Sequence, residues 1–269
     1  MRRAANGFLA AALLVAMPAA GARASDHNNV DAGRPLSFDD AETVAFGERD
    51  FEYGLSLRFP RGGGGTSRAG LGFAAEYLNG FALNSQISVG VDAEAGGRAG
   101  SERTGFEVEG VGVGWMHNFN REIGRAPALS LRADLLVPTE RGEQGRSALR
   151  LRGIASRTAR QYDRFHLNLD ATLALRPTAG ERTLRPAVTL GYTVPLGYPA
   201  RFDRTGLAEI GLRTADERGS GTILAVGAGL RQQAGVRSVL DLGVRGDVAA
   251  KRGAARTLFA LVAGYSTAF

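Results

Sequence analysis

Arg256-Thr-Leu-Phe-Ala-Leu-Val-Ala-Gly-Tyr-Ser-Thr-Ala-Phe269 is the stretch that decides the fold. Successive side chains of a β-strand point to opposite faces, so residues two positions apart share a face. One face of this stretch carries Phe259, Leu261, Ala263, Tyr265 and Phe269. The other face carries Ala260, Gly264, Ser266 and Ala268. A strand with one face suited to lipid and one to a lumen, ending on an aromatic residue, is typical of an outer-membrane β-barrel.

The N-terminus has the features of a secretory signal peptide. Met1-Arg-Arg gives a positive start, an apolar run extends from Phe8 to Met17, and Ala22-Arg-Ala24 is a small-x-small cleavage site. The apolar run is well short of the ~20 residues that an α-helix needs to span a bilayer. We therefore predict a signal peptide over residues 1–24, a periplasmic or plug-like segment over 25–48, and an outer-membrane barrel over 49–269.

Composition excludes several classes of function. The chain has no cysteine, so it has neither disulfides nor a zinc-thiolate site. Removing Arg2, Arg3 and Arg23 with the signal peptide lowers the formal net charge from +6 to +3. The remaining charges are interspersed instead of forming a basic stripe, which argues against nucleic-acid binding. We expect no cofactor and no metal site.

Strand-like segments of about ten residues recur from Phe51 onward, and we count about twelve. The clearest alternation runs from Phe165 to Leu175, and a change of phase near Glu109-Gly110 predicts a β-bulge. The longer connectors are expected to be outer loops: 60–68, 95–104, 138–147, 176–184, 214–220 and 249–255. Shorter links such as Asn79-Gly80 are expected to be periplasmic turns. The alternative is an exported soluble β-sandwich or lipocalin-like barrel, in which the apolar face points inward.

Charged residues occupy the polar phase of many predicted strands. Both signs are present, and such inward charges either select the solutes that enter a pore or hold a plug in place. The candidate lumen-lining residues are Arg58, Glu76, Asp92, Arg132, Asp134, Arg150, Arg152, His166, Asp170, Glu209, Asp241 and Arg245.

Aromatic residues on the apolar phase predict the two ends of a membrane-spanning band, because Trp and Tyr favour the membrane interface. The interface candidates are Tyr53, Tyr77, Trp115, Phe119, Tyr265 and Phe269. We expect the barrel to contact outer-membrane lipid, and the barrel-assembly machinery to bind the C-terminal strand that ends at Phe269.

Two histidines lie within predicted strands and are the candidates for catalysis. His117 shares its phase with Trp115 and Phe119, which favours an interfacial role. His166 lies on the lumen phase. Outer-membrane lipid hydrolases place a His and a Ser two residues apart on a strand, and neither histidine has such a serine. We therefore assign no catalytic residue.

The segment Gly33-Arg-Pro-Leu-Ser-Phe-Asp-Asp-Ala-Glu-Thr-Val-Ala-Phe-Gly47, followed by Phe51-Glu-Tyr-Gly54, resembles the start of the MetA-pathway of phenol degradation family of outer-membrane proteins. In that family an Arg-Pro-Leu-x-x-Asp-Asp-Ala run precedes the first barrel strand. The resemblance implies a channel for hydrophobic or aromatic compounds and assigns no substrate-binding residue. The acidity of Asp39, Asp40 and Glu42 suggests that they either cap the periplasmic mouth or enter the barrel and pair with lumen arginines.

Together these features predict an all-β protein of the bacterial outer membrane. It is a porin-like, transmembrane, antiparallel barrel in the Gram-negative envelope, through which small solutes, including hydrophobic or aromatic ones, pass passively without enzymatic chemistry. The alternatives are a non-conducting structural or surface barrel and, third, a lipid-modifying enzyme. Inward Gly and Ala residues such as Gly227, Gly229 and Gly264 leave room for a pore, whereas inward arginines would fill it.

Overall fold

The computed structural model describes residues 34–61, 69–96, 106–139, 147–160, 162–250 and 256–269. These residues form a closed antiparallel barrel in which each strand pairs with its neighbours in sequence and the first pairs with the last. The twelve strands are β1 (Arg49–Arg61), β2 (Gly70–Ala82), β3 (Ser85–Gly96), β4 (Phe106–Asn120), β5 (Ala128–Pro138), β6 (Ala148–Thr158), β7 (Arg164–Ala174), β8 (Leu184–Pro195), β9 (Arg204–Thr214), β10 (Thr222–Gln233), β11 (Ser238–Ala250) and β12 (Arg256–Ala268).

The predicted all-β fold and its strand number are therefore confirmed. The predicted signal peptide, residues 1–24, lies outside the described residues, as does the part of the 25–48 segment before Arg34. No helix in the described ranges is long and apolar enough to cross a membrane.

The alternation of side chains gives the barrel an apolar exterior and a polar interior. Along β12, inward Ala260 and Val262 are 2% and 4% exposed, whereas outward Leu261 and Tyr265 are 48% and 36% exposed. Every strand exposes a large aliphatic residue on its outer face: Leu55, Leu71, Ile87, Val113, Leu135, Leu151, Leu169, Leu190, Ile210, Val226, Leu242 and Leu261. A soluble β-sandwich or lipocalin-like barrel would bury these residues, so the exposed band argues against that alternative.

Connectors alternate between the two ends of the barrel. We call one end the loop end; among the described residues it comprises the connectors 175–183 and 215–221 and the strand ends at Arg61, Gly70, Gly96, Pro138, Ala148 and Ala250. The other is the turn end, formed by 83–84, 121–127, 159–163, 196–203 and 234–237, together with Phe269. The predicted outer loops 176–184 and 214–220 lie at the loop end, whereas 60–68, 95–104, 138–147 and 249–255 fall mainly outside the described residues.

The predicted turn at Asn79-Gly80 is wrong, because β2 continues to Ala82 and the turn is Leu83-Asn84. Asn84 has a φ of 58°, a left-handed conformation that asparagine tolerates well. Gly80 instead marks a close approach of two backbones. It accepts a hydrogen bond from the Gly47 N–H at 2.7 Å and donates one to the Glu48 carbonyl at 3.0 Å, and a side chain at position 80 would collide with the Ala45 carbonyl.

The predicted bulge in β4 is confirmed. Asp92 pairs with Gly110 and its neighbour Ala93 pairs with Val108, so Glu109 is the extra residue on the β4 side. The bulge explains why the apolar phase of β4 changes from even to odd positions.

A charge placed on the outer band is expected to be tolerated only near its edges. Leu169 lies in the middle of β7 and Leu175 lies at its loop end, and both are exposed outward. We expect Leu169→Arg to lower the free energy of unfolding in phospholipid vesicles by about 2–4 kcal/mol, and Leu175→Arg by about 0–1 kcal/mol. Denaturant titrations of the two variants measure the difference, and equal costs at both positions would contradict a membrane-embedded band.

Candidate functional site

Residues 34–48, which we call the inner segment, meet all twelve strands; residues 34–44 lie inside the barrel, and 45–47 are exposed at the turn end. Leu36, Phe38 and Ala41 are each 0% exposed. Arg34 lies against β1 and β12, and Pro35 lies against β11 and β10. The next contacts are those of Ser37 with β9, Phe38 with β8 and β7, and Asp39 with β6. Ala41 then contacts β5 and β4, Val44 contacts β3, and Gly47 contacts β2. The lumen is therefore occupied at this level by the chain's own N-terminal part.

Side chains of the wall satisfy the backbone of the inner segment. The Ser37 and Asp39 N–H groups donate to Glu209 Oε2 and Asn168 Oδ1, each at 2.7 Å. The Asn168 Nδ2 group donates back to the Asp39 carbonyl at 2.9 Å. Further toward the turn end, Ala41 N–H donates to Ser156 Oγ at 2.9 Å.

The remaining contacts of this kind lie on β3 and β4. Asn118 Nδ2 donates to the Ala41 carbonyl at 2.7 Å, and the Val44 N–H donates to Gln86 Oε1 at 2.7 Å. A buried backbone without a neighbouring strand must find such partners, since an unpaired buried N–H or carbonyl group is costly. These wall residues thus specify a path for the inner segment.

Inward glycines make room for the segment's side chains. Gly191 faces Phe38, and a Cβ built at this glycine would lie 2.5 Å from the aromatic ring. In the same way Gly227 faces Leu36, Gly229 and Gly243 face Pro35, and Gly54 and Gly264 face Arg34. The space that the sequence suggests at Gly227, Gly229 and Gly264 is therefore filled by the inner segment instead of forming an open pore.

The acidic residues of the inner segment pair with arginines of the wall. Asp39 Oδ2 accepts from Arg152 Nη1 at 2.9 Å. Arg164 lies 3.4 Å from Asp40 and 2.9 Å from Glu42. Of the two arrangements that the sequence suggests for these carboxylates, the structure shows them inside the barrel and paired with lumen arginines.

The candidate lumen residues all occupy inward-facing positions. Arg132, Asp134, Arg152, His166, Glu209 and Asp241 are buried, Arg58, Glu76, Arg150, Asp170 and Arg245 are partly buried, and Asp92 is exposed. Several pair across neighbouring strands, such as Arg152 with Asp170 at 2.7 and 3.1 Å and Arg150 with Asp134 at 2.9 Å. The wall is therefore cross-linked by ion pairs.

Several polar residues that hold the inner segment or its partners were not among the site residues predicted from the sequence. Glu52 binds Arg34 and is 1% exposed, and Arg231 pairs with Asp241 at 2.8 and 2.9 Å. Asn168, Ser156 and Arg164 contact the segment directly. All of them lie on the inward phase of their strands, so strand phase was the signal that marked them.

His166 has a structural setting. Its Nδ1 lies 3.0 Å from Ser156 Oγ and its Nε2 lies 3.2 Å from Thr193 Oγ1. The Phe38 ring stacks on the imidazole with the centroids 5.1 Å apart, and the residue is 0% exposed. With both ring nitrogens engaged and one face covered, His166 holds Phe38 in place and has no access to solute.

The interface candidates lie on the outer face toward the turn end. Tyr53 stacks near Tyr265 and Tyr77 packs near Phe269, each pair with ring centroids 6.4 Å apart. Trp115 stacks on His117 at 6.0 Å, and Phe119 meets the other side of the His117 ring edge-on. At the loop end, Phe59 stacks on Phe259 with the ring centroids 4.4 Å apart.

The inner segment separates two cavities. The loop-end vestibule is about 600 Å³ and is lined by charged residues that include Arg58, Arg132, Asp134, Arg150 and Arg245. The turn-end vestibule is about 550 Å³ and is lined partly by the segment itself, from Glu42 to Phe46. Among the described residues no group of three or more His, Asp or Glu side chains is arranged to hold a metal ion.

No protein-family model and no curated protein matches the sequence. The fold is similar to that of the COG4313 outer membrane channel from Pseudomonas putida F1, with a TM-score of 0.67 and 12% identity over 89% of this chain and 100% of that one. It is also similar to NanC porin, with a TM-score of 0.53 and 10% identity over 81% and 98% of the two chains. KdgM porin gives 0.51 and 10% over 82% and 99%. These likenesses show a shared twelve-strand barrel fold.

A side chain at Gly191 is expected to displace the inner segment. Overpacking costs about 1–3 kcal/mol, which would raise the population of displaced segments by roughly 5- to 150-fold. Because the chain has no cysteine, Ala41→Cys supplies a single thiol that is buried when the segment is in place. We expect maleimide labelling of Cys-substituted protein to accelerate by that factor when Gly191→Val is added.

Gly153→Val is the matched control, because a Cβ at this outward glycine of β6 meets nothing within 4 Å. Retention of the folded barrel is checked by its heat-dependent migration on gels. Equal labelling rates with Gly191→Val and Gly153→Val would contradict the packing of Phe38 against Gly191.

Proposed function

We propose that the protein is a channel of the bacterial outer membrane that lets small solutes pass passively, with the inner segment as its internal constriction. The observation that carries the proposal is a closed barrel with an apolar exterior whose lumen is interrupted by one segment held by non-covalent contacts. A vestibule opens on either side of this segment. The fold shared with outer-membrane channels and porins supports the same conclusion.

The contacts of the inner segment explain how such a channel conducts. The segment is irregular and pairs with the wall mainly through side chains, so it is released by breaking hydrogen bonds and ion pairs without opening the barrel. Its displacement toward the turn end joins the two vestibules. The lumen then presents the paired charges of the wall, which admit small solutes and exclude large ones.

The solute class follows from the sequence resemblance. The Arg34-to-Ala41 run resembles the start of the MetA-pathway of phenol degradation family, and we propose hydrophobic or aromatic compounds on that basis. Removal of the predicted signal peptide and recognition of the strand ending at Phe269 by the assembly machinery are parts of the same proposal. Outer-membrane lipid would surround the exposed aliphatic band.

Two alternatives predict different behaviour. A non-conducting structural barrel is favoured by the complete burial of Leu36 and Phe38 across the lumen. The lipid-modifying enzyme would have to use Ser85 and His117, whose Oγ and Nδ1 atoms lie 2.8 Å apart on the outer face. Within the described residues no carboxylate hydrogen-bonds to the second nitrogen of His117, so the pair lacks the acid that orients a catalytic histidine.

Planar-bilayer conductance tests the proposal. We expect the mature protein to give small unitary steps, and the variant without residues 25–47 to give stable steps several-fold larger, because the segment no longer blocks the lumen. A variant with Asp39→Asn and Asp40→Asn should give intermediate steps, since it loses the pairs with Arg152 and Arg164.

Asp216→Asn is the control, because this carboxylate is 60% exposed and lies at the loop end, away from the inner segment. Its steps should match those of the unaltered protein. Silence from both the full-length and the truncated barrel, with folding verified by gel migration, would favour the structural alternative.

A further inference from the structure

Arg245 stands apart from the other lumen arginines. Arg152, Arg132 and Arg231 each pair with a carboxylate within 3 Å. Arg245 lies inward on β11, is partly buried and lines the loop-end vestibule, but within the described part of the chain it has neither an ion pair nor a hydrogen-bonding partner. A guanidinium has five donors and cannot lose its charge, so a partly buried one without an acceptor is unfavourable.

The strand register places a second arginine beside it. Ala260 of β12 pairs with Arg58 of β1 on one side and with Arg245 of β11 on the other. The two arginines are therefore inward-facing and two strands apart, about 9.5 Å between their backbones. The Nε atom of Arg58 is also buried without a hydrogen-bond acceptor, and its contact with Glu94 is 3.4 Å long.

The nearby carboxylates are engaged elsewhere. Glu209 accepts from the N–H and Oγ of Ser37, each at 2.7 Å. Asp247 accepts from Arg213 at 2.8 and 3.0 Å and from the Thr257 N–H at 2.8 Å. Glu209 keeps its charge, because Ser37 is neutral, so Arg58, Arg213 and Arg245 are matched in number by Glu94, Asp247 and Glu209. Within the described residues, however, none of these carboxylates lies within ion-pair distance of Arg245, whose guanidinium is left without an acceptor.

Small and apolar residues surround the two arginines. Ala260 lies between them, and Gly227 is the partner of Arg245 on β10. Val262 lines the same vestibule one step toward the turn end, and Leu36 of the inner segment lies against Gly227. The wall between the two arginines, at Ala260, is therefore uncharged, whereas the Glu209 carboxylate lies beside Gly227 on the other side of Arg245.

We infer that Arg245 and Arg58 form a binding site for the carboxylate of a small organic acid with an apolar or aromatic body. The planar fork of a guanidinium matches a carboxylate through two parallel hydrogen bonds, and its face stacks on aromatic rings. Val262, which lines the vestibule one step toward the turn end, provides an apolar contact for the body of the acid. The inference rests on the proposed channel function, since the vestibule would be the solute's entry from the loop end.

Isothermal titration of the full-length mature protein with benzoate tests the site, with benzamide as the neutral analogue of the same shape. We expect benzoate to bind the unaltered protein about tenfold or more tightly than benzamide, since hydrogen bonds to a charged group are the stronger ones. Arg245→Gln should weaken benzoate binding by about tenfold or more, and Arg245→Lys should weaken it less, because lysine keeps the charge but loses the fork.

Arg150→Gln is the matched control, because it removes an arginine of the same vestibule whose partner Asp134 keeps its pair with Arg132. Its benzoate affinity should stay within about twofold of the unaltered protein. Arg245→Gln should fold normally, since this guanidinium makes no hydrogen bond or ion pair with the described residues.

Several outcomes would overturn the site. These are no benzoate binding to the unaltered protein, equal affinity for benzamide, or equal affinity of Arg245→Gln. Inorganic phosphate that competes as well as benzoate would show an adventitious ion only. If the protein conducts but does not bind benzoate, the binding site is refuted and the channel function is not. If the protein binds benzoate but shows no conductance with or without residues 25–47, the channel function is refuted and the binding site is not.

Discussion

The structure depends on one constraint, which is that a backbone without a neighbouring strand has to be hydrogen-bonded inside a closed barrel. The inner segment has neither helix nor sheet pairing between Arg34 and Val44, so its N–H and carbonyl groups need side chains of the wall. Asn168, Ser156, Asn118 and Gln86 supply them from different strands. Many polar side chains of the interior therefore serve to hydrogen-bond the inner segment and are not available to a solute.

The same constraint explains how much of the fold was predictable. The period of two in β7 and β12 and the phase change in β4 are local signals, because one strand's own residues report which face is buried. The twelve strands followed from such signals. The turn after β2 did not follow from them. Position 80 needs a glycine because the backbones of Ala45 and Gly47 approach it closely, and these residues are distant in the sequence.

The occupied lumen was only partly visible in the sequence. The acidity of Asp39 and Asp40 suggested partners among the arginines, but which arginines depends on contacts between residues more than 110 positions apart. Phase alone placed Arg152, His166 and Asp241 inside. It did not distinguish a residue that faces a vestibule from one that holds the inner segment, because both lie on the same face of their strands.

Arg34 lies where the sheet closes, and this links two events of assembly. Gly54 of β1 and Gly264 of β12 are cross-strand partners at the junction of the first and last strands, and the Arg34 side chain lies against both glycines. The C-terminal end of the inner segment continues directly into β1, and its N-terminal residue Arg34 packs against Gly54 of the same strand. Both ends of the segment are therefore held by β1. Closure of the sheet and filling of the lumen therefore share one contact, because the β1–β12 pairing and the Arg34 side chain meet at the same two glycines.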